Sequence, residues 1–473
     1  MIERMLASGR NGALGWPFNI PLWLWLLLVP GLLAFSLALG LEANSNQMKM
    51  VLGLLLAAGA VVVLARWPPL GLVLAPLAGM VTPSFGMAGL NAVILLIGLL
   101  AGLWLLDMLV RQRSLRLVSA VSVQRPALIW LAVVCLAFIV GQLPWFSFAR
   151  NAPLDAQLGG FAIFALAIAA FLLAANQIKS LRWLQAMVWA FLAFGAVYIL
   201  GRVLPPLSPL TNQLFQRQSI GPLFWAWLPA LALSQAAFNR DLSRRWRMAL
   251  AALTVAALYS AFVQNFGWKS GWVTAGAAVA GVVAARSWRA GLLLALVGVP
   301  FALGTGQGVL ASEDYSVSTR FEAWLILLEI LKVSPVLGLG FANYYWYTPL
   351  FAIRGWYVRF NSHNNYVDIV AQTGLIGLLC FFWLFWEVGR LGWSLRQRAP
   401  AGFARAYVYG ALGGLVGTLV AAGLGDWVLP FVYNIGMNGF KTGVAGWLFL
   451  GGLVALGELC KGQEQASEVR AGA

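Results

Sequence analysis

Residues 316–368 read SVSTRFEAWLILLEILKVSPVLGLGFANYYWYTPLFAIRGWYVRFNSHNNYVD, a polar stretch set between long apolar runs. It holds the only histidine, His363, together with Arg320, Lys332, Arg354 and Arg359. Charges in or beside lipid are costly, so a cluster of them around a lone histidine points to chemistry on an anion. The surrounding composition makes this contrast decisive for the fold. Of 473 residues, 61% are hydrophobic and 10% charged, with a mean hydropathy of +0.82. Soluble domains carry about 25% charged residues. The chain therefore reads as all-α, a polytopic integral membrane helical bundle with one long extracytoplasmic loop.

Crossing the hydrocarbon core takes ~20 apolar residues. Candidate spans lie near 20–40, 49–65, 68–81, 88–110, 126–143, 158–176, 181–201, 221–238, 248–266, 271–285, 288–304, 364–389, 404–424 and 440–460. The third and tenth are short, so about 12–14 transmembrane helices are expected. The organisation follows: an N-terminal transmembrane bundle over 1–304, an extracytoplasmic catalytic loop over 305–363, C-terminal transmembrane helices over 364–460, and a disordered polar tail over 461–473. The formal charge of +16 does not point to nucleic acid, because the basic residues sit in short loops between spans. With the N-terminus inside, 21 of the 31 Lys and Arg fall on the cytoplasmic side, which puts both termini in the cytoplasm. Four of the ten outward positive charges gather in the single loop at 305–363, and a loop of that length without a span of its own is usually functional. Arg4 and Arg10 precede a span too long for a cleavable signal. Cys135, Cys380 and Cys460 make neither a CxxC nor a Cys/His metal spacing.

Within the loop, Thr319 and Glu322 fit a capping box that starts a short interfacial helix at Arg320. Phe321, Trp324, Leu325, Leu328 and Leu331 recur at helical spacing and give it an apolar face, toward lipid or the bundle. Ser334-Pro335 ends the helix and Gly338-x-Gly340 supplies a turn. Arg320 in the first turn opposes the helix dipole unless an anion sits there; the plainer reading is a charge on an exposed helix end. His363 precedes the apolar run opening at Tyr366, with Asn361 or Ser362 placed to cap that helix. Its ordinary pKa of about 6.5 suits proton transfer, though a histidine at a span end also serves as a simple hydrogen-bonding residue. Asp107 with Arg111, and Glu387 with Arg390, read as structural pairs at helix ends. Asp368, about one turn inside the next span, needs a partner: it either orients the site or binds a neighbouring arginine. The 23 tryptophans mostly fall near span ends, as an aromatic belt would. No D-x-D pair, Cys/His cluster or outward carboxylate pair offers a divalent-cation site, and no cofactor is expected.

The series Arg320-x-x-x-Trp324, Pro335-x-x-Gly338-x-Gly340, His363-Asn364-x-Tyr366 and Gly374-x-x-Gly377 resembles the C-terminal signature of the O-antigen ligase and polymerase superfamily. The resemblance covers residues 316–380 and, more loosely, the spans before them. It implies an inverting, metal-independent glycosyl transfer from an undecaprenyl-pyrophosphate-linked glycan donor, in a bacterial cytoplasmic (inner) membrane. The acceptor is a glycan, a lipid or a protein, so ligase, polymerase and protein O-glycosylation remain open. By motif position Arg320 matches the family's arginine before tryptophan, and His363 matches its His-Asn. Arg217, before Gly221, matches an upstream arginine less specifically. Where members often carry Ser-Arg-Gly, this chain has Lys269-Ser270-Gly271. Lysine keeps the charge but lacks the bidentate fork, so either Lys269 substitutes or Arg354 or Arg359 takes the role.

These readings make His363 and Arg320 the catalytic candidates. Arg320, Arg217, Lys269, Arg354 and Arg359 are the candidate pyrophosphate ligands, supported by Asn364, Asp368 and Trp324. Guanidinium groups can hold a diphosphate bidentately and stabilise its growing charge, while His363 takes the proton of the attacking hydroxyl. The competing class is a polytopic secondary transporter of a cell-envelope precursor. Transporters show repeat-related halves with midplane polar sites, whereas the polar groups here gather in one loop.

Overall fold

The computed structural model describes residues 58–85, 89–114, 117, 120–215, 220–312 and 314–471. The chain is an all-α multi-pass membrane protein. Its helices are α1 (Ala58–Arg66), α2 (Pro68–Val81), α3 (Ala92–Leu106), α4 (Val121–Val140), α5 (Leu154–Gln177), α6 (Leu181–Val203), α7 (Ser208–Leu214) and α8 (Pro222–Phe238). They continue with α9 (Arg244–Tyr259), α10 (Lys269–Arg286), α11 (Trp288–Ser312), α12 (Asp314–Ile330), α13 (Asn343–Tyr347), α14 (Asn365–Arg398), α15 (Phe403–Leu424) and α16 (Gly436–Ala471). A small antiparallel ribbon pairs Ser84–Phe85 with Leu90–Asn91. Every candidate span within the described residues is mostly helical, 88–110 opening on the ribbon strand Leu90–Asn91, while 20–40, the start of 49–65 and residue 88 lie outside them. Eight helices among the described residues are long and apolar enough to cross a membrane, or up to nine if α1 and α2 count as one bent span. Two of the expected spans, 20–40 and most of 49–65, lie outside the described residues; within them α8 is 17 residues long and α10 carries Lys269 and Arg286 at its ends.

The chain divides into two compact units. The smaller takes residues 1–71 and 99–116; in it the end of α3 passes into a π-helical turn, where Arg111 pairs with Asp107 at 3.7 Å as expected. The larger takes 72–98 and 117–473 and holds the whole polar cluster. Its centre is α8 packed against α10 and α15, with α16 against α5. Helix α15 supplies glycines there: a Cβ at Gly414 would strike the Trp227 ring, and one at Gly417 the Cβ atoms of Ala226 and Ala278. Small residues let membrane helices approach closely, and this lets α15 lie against two helices at once. Trp130, Trp225, Trp227 and Trp447 are among the largest fully buried side chains, so these four belong to the core and not to an interfacial belt. The Glu387–Arg390 pair forms at 2.6 Å.

The segment read as a loop is mostly helical. Helix α12 begins at Asp314, ahead of the capping box expected at Thr319, and Trp324 and Leu331 are not matched by a single buried face. Ala323, Leu327 and Ile330 turn inward, while Phe321, Leu325 and Leu328 are exposed. The helix is apolar on both sides, so it can pack on the bundle and still offer an apolar surface outward. The polar tail after Lys461 continues α16 to Ala471. Its Gln, Glu and Ala are good helix formers, and Lys461 pairs with Glu458 at 2.9 Å.

The motif glycines have a common structural cause. Gly374 breaks α14 with φ 69° and ψ −176°, which frees backbone groups on either side. The 335–340 segment takes them up: Leu339 N and Gly340 N donate to the Ala371 and Gln372 carbonyls at 2.9 and 3.1 Å. In return Leu375 N and Ile376 N donate to the Pro335 and Val336 carbonyls at 3.0 and 3.3 Å. A broken membrane helix is tolerated when neighbouring backbone satisfies it in this way. Gly338, at φ 74°, lies so close to the backbone of Gln372 and Thr373 that a Cβ would overlap it.

Candidate active site

His363 sits at the mouth of α14. The helix is capped by Asn364, not by Asn361 or Ser362: Asn364 Oδ1 accepts from Tyr366 N at 2.9 Å and Val367 N at 3.4 Å. This leaves His363 just outside the helix with φ 48°, a left-handed conformation that costs a non-glycine residue of order 1–3 kcal/mol and persists only where the surroundings fix it. They do so from four directions. Trp324 Nε1 donates to the Ser362 carbonyl at 2.8 Å, and Asn364 N donates to Ser362 Oγ at 3.0 Å. The Ser362 hydroxyl lies 2.8 Å from Asp368 Oδ1, which also accepts from the Tyr344 hydroxyl at 2.6 Å. Asp368 is fully buried, and its partners are these two hydroxyls instead of a neighbouring arginine.

The residues after His363 fasten a second loop beside it. Asn364 Nδ2 donates to the Gly423 carbonyl at 3.1 Å, and the Tyr366 hydroxyl donates to the Leu419 carbonyl at 2.6 Å. Asn365 Oδ1 accepts from Val428 N at 2.9 Å, while its Nδ2 donates to the Leu429 carbonyl at 2.6 Å. Together they hold the connection from α15 to α16, which carries Asp426. Asp426 accepts from Phe431 N at 2.9 Å and Asn434 Nδ2 at 2.7 Å, and it interacts electrostatically with His363.

A cavity of about 320 Å³ opens at this point, lined by Arg320, Arg359 and His363 together with Tyr345, Tyr433 and Asn434. Arg320 and Arg359 are exposed, and among the described residues neither pairs with a carboxylate. Arg359 stacks on Trp346, its Cζ 3.8 Å from the ring centroid, and Trp346 donates to the Tyr433 hydroxyl at 2.8 Å. Partial burial holds the His363 imidazole below its ordinary pKa; the Asp426 carboxylate opposes this and the Arg320 guanidinium adds to it. The ring is therefore neutral near pH 7 and able to accept a proton. Burial raises the Asp426 pKa, countered by its hydrogen bonds and by His363.

The other candidates separate. Arg354 is turned to α12, with Nε 3.2 Å from Glu322 Oε2, its backbone N donating to Glu322 Oε1 at 3.0 Å, and its guanidinium donating to Ser318. Lys332 pairs with Glu329 at 2.6 Å. Lys269 is the first residue of α10 and does not line the cavity. Arg217 lies outside the described residues. Asp426, Tyr433 and Asn434 were missed by the motif reading, because they come from a loop some sixty residues beyond His363 and carry no spacing signal of their own. The only hint was an acid following directly on a span, at Gly425-Asp426.

In this multi-pass membrane bundle one cavity is lined by a neutral imidazole and by two arginines that pair with no carboxylate among the described residues. Residues 242–382 match the family model described as O-antigen ligase, a similarity that supports a place in the O-antigen ligase and polymerase superfamily of membrane glycosyltransferases. The matched region contains Lys269, Arg320, Arg359 and His363 and stops short of Asp426. No curated protein sequence matches the chain.

Proposed function

We propose that this protein transfers a glycan from an undecaprenyl-pyrophosphate carrier to a hydroxyl acceptor at the outer face of the bacterial cytoplasmic membrane, with inversion at the anomeric carbon. The observation that carries this reading is the shared cavity of Arg320, Arg359 and His363. Two guanidinium groups that pair with no carboxylate among the described residues match a diphosphate in charge and can bind it bidentately. As the bond from the anomeric carbon to the phosphate oxygen breaks, the electron pair stays on the diphosphate, and the arginines stabilise the added charge. On the opposite face the acceptor oxygen forms the new glycosidic bond and His363 takes its proton. Asp426 stabilises the imidazolium that results. Arg217 and Lys269 are proposed as further ligands from the family pattern, and Arg354 as a brace for the α12 entrance.

Proteoliposomes containing the full chain, supplied with isolated lipid-linked glycan and with lipid, glycan or protein acceptors in turn, test the proposal. The expected result is one polyprenyl diphosphate released per glycan transferred, with a single acceptor class active. Transport of intact lipid-linked glycan across the bilayer without a new glycosidic bond would overturn it.

A further inference from the structure

A second cavity, of about 570 Å³, shares the lining residue Asn434 with the histidine cavity. Its walls include the rings of Tyr198, Trp225, Trp268 and Trp427. The amide side chains of Asn265, Asn434 and Asn438 also line it, and Arg202 is the single charged residue of the lining among the described residues. The last turn of α6 carries Arg202, held by neutral oxygens: Nε donates to Ser260 Oγ at 2.8 Å and Nη2 to Asn265 Oδ1 at 2.9 Å. Among the described residues no carboxylate pairs with it or lines this cavity. Five donors on a guanidinium less two in use leave three for a ligand.

We propose that this cavity is a subsite for a sugar unit of the glycan that bears one negative charge, with Arg202 recognising that charge. The proposal rests on the glycan-transfer reading and adds the substrate class. Aromatic faces receive the apolar faces of a pyranose, and amides satisfy its hydroxyls, so the lining matches a saccharide better than a bare anion. The charge balance points the same way. Among the described lining residues a diphosphate would set at least two negative charges against one guanidinium, whereas a carboxylate on a sugar is matched one to one. The shared residue Asn434 places the charged sugar beside the bond being made or broken at His363.

The test uses purified full-length protein in detergent and three probes, D-glucuronate, D-glucose and inorganic diphosphate, with binding read by saturation-transfer and phosphorus NMR titrations. Glucuronate should bind about tenfold more tightly than glucose, the effect of one charge-assisted hydrogen-bonded contact. Arg202→Gln should erase that difference, and Trp268→Leu should weaken both sugars while the protein keeps Arg202. Arg320→Gln should leave glucuronate binding unchanged. Equal binding of the two sugars to the unmodified protein overturns the proposal, a result that does not depend on any variant folding. Displacement of glucuronate by diphosphate in an Arg202-dependent way also overturns it, assigning the site to the carrier. Failure of these binding tests with transfer intact removes only the subsite, and loss of the transfer reading is seen separately in turnover.

Discussion

Replacing Tyr344 by Phe tests what holds His363 in its left-handed turn. The ring of Tyr344 stacks on Phe431 with centroids 4.8 Å apart, and Phe keeps that contact, so the change removes only the hydroxyl. What is lost is a 2.6 Å bond to Asp368 with both residues fully buried. A hydrogen bond between neutral groups contributes about 0.5–1.5 kcal/mol, and leaving a buried polar atom without its partner costs about 1–3 kcal/mol. The second oxygen of Asp368 already lacks a partner among the described residues, so nothing nearby compensates. Tyr344→Phe should therefore destabilise the solubilised protein by about 1–3 kcal/mol, measured by equilibrium denaturant unfolding followed by tryptophan fluorescence. In an Asp368→Asn background the same change should cost less, and the difference is the coupling energy. Because Asp368 also holds Ser362, turnover should fall by about 10- to 100-fold as the imidazole loses its position. A cost below about 0.5 kcal/mol together with unchanged turnover would refute the reasoning, since a lost bond between two fully buried groups cannot be that small.

Arg354→Gln should lower turnover by less than about fivefold, because its pair with Glu322 is 37% exposed on both sides and such pairs contribute at most about 1 kcal/mol; Arg320→Gln and Arg359→Gln, compared in the same steady-state transfer assay, should each cost at least about tenfold. Gly374→Ala places a side chain at φ 69° against the Val336 carbonyl, and should cost at least about 1–3 kcal/mol by the same unfolding measurement. The acid limb of kcat/KM should lie below the ordinary imidazole range, with activity rising as pH increases through it and His363 becomes neutral. Asp426→Asn removes an interaction that raises the His363 pKa and should move the limb to lower pH, while Arg320→Gln removes one that lowers it and should move the limb upward.

The sequence carried the membrane bundle plainly because apolar runs of helix length can hardly fold otherwise. The motif glycines at 338 and 374 were legible as special positions, since each marks backbone that no side chain fits. Their shared purpose, a broken helix repaired by the 335–340 segment, was not, because it depends on two stretches meeting in space. The inward face of α12 was misassigned for a related reason: with apolar residues all round, helical spacing cannot choose between Leu325 and Leu327. Arg354 and Arg359 are equivalent in a one-dimensional reading, and only Glu322 and Trp346 tell them apart. Asp426 reaches His363 through the grip of Asn364 and Asn365 on the loop after α15, a long-range closure with no local signature.

The most direct measurement is single-turnover glycan transfer by the reconstituted His363→Ala protein from a lipid-diphosphate donor, with donor binding measured in parallel. General acid–base catalysis contributes about 10²–10⁴-fold, so transfer should slow by that factor while donor affinity stays near that of the unmodified protein. Turnover close to normal across a pH series would contradict the account and reduce His363 to a residue that merely ends a helix.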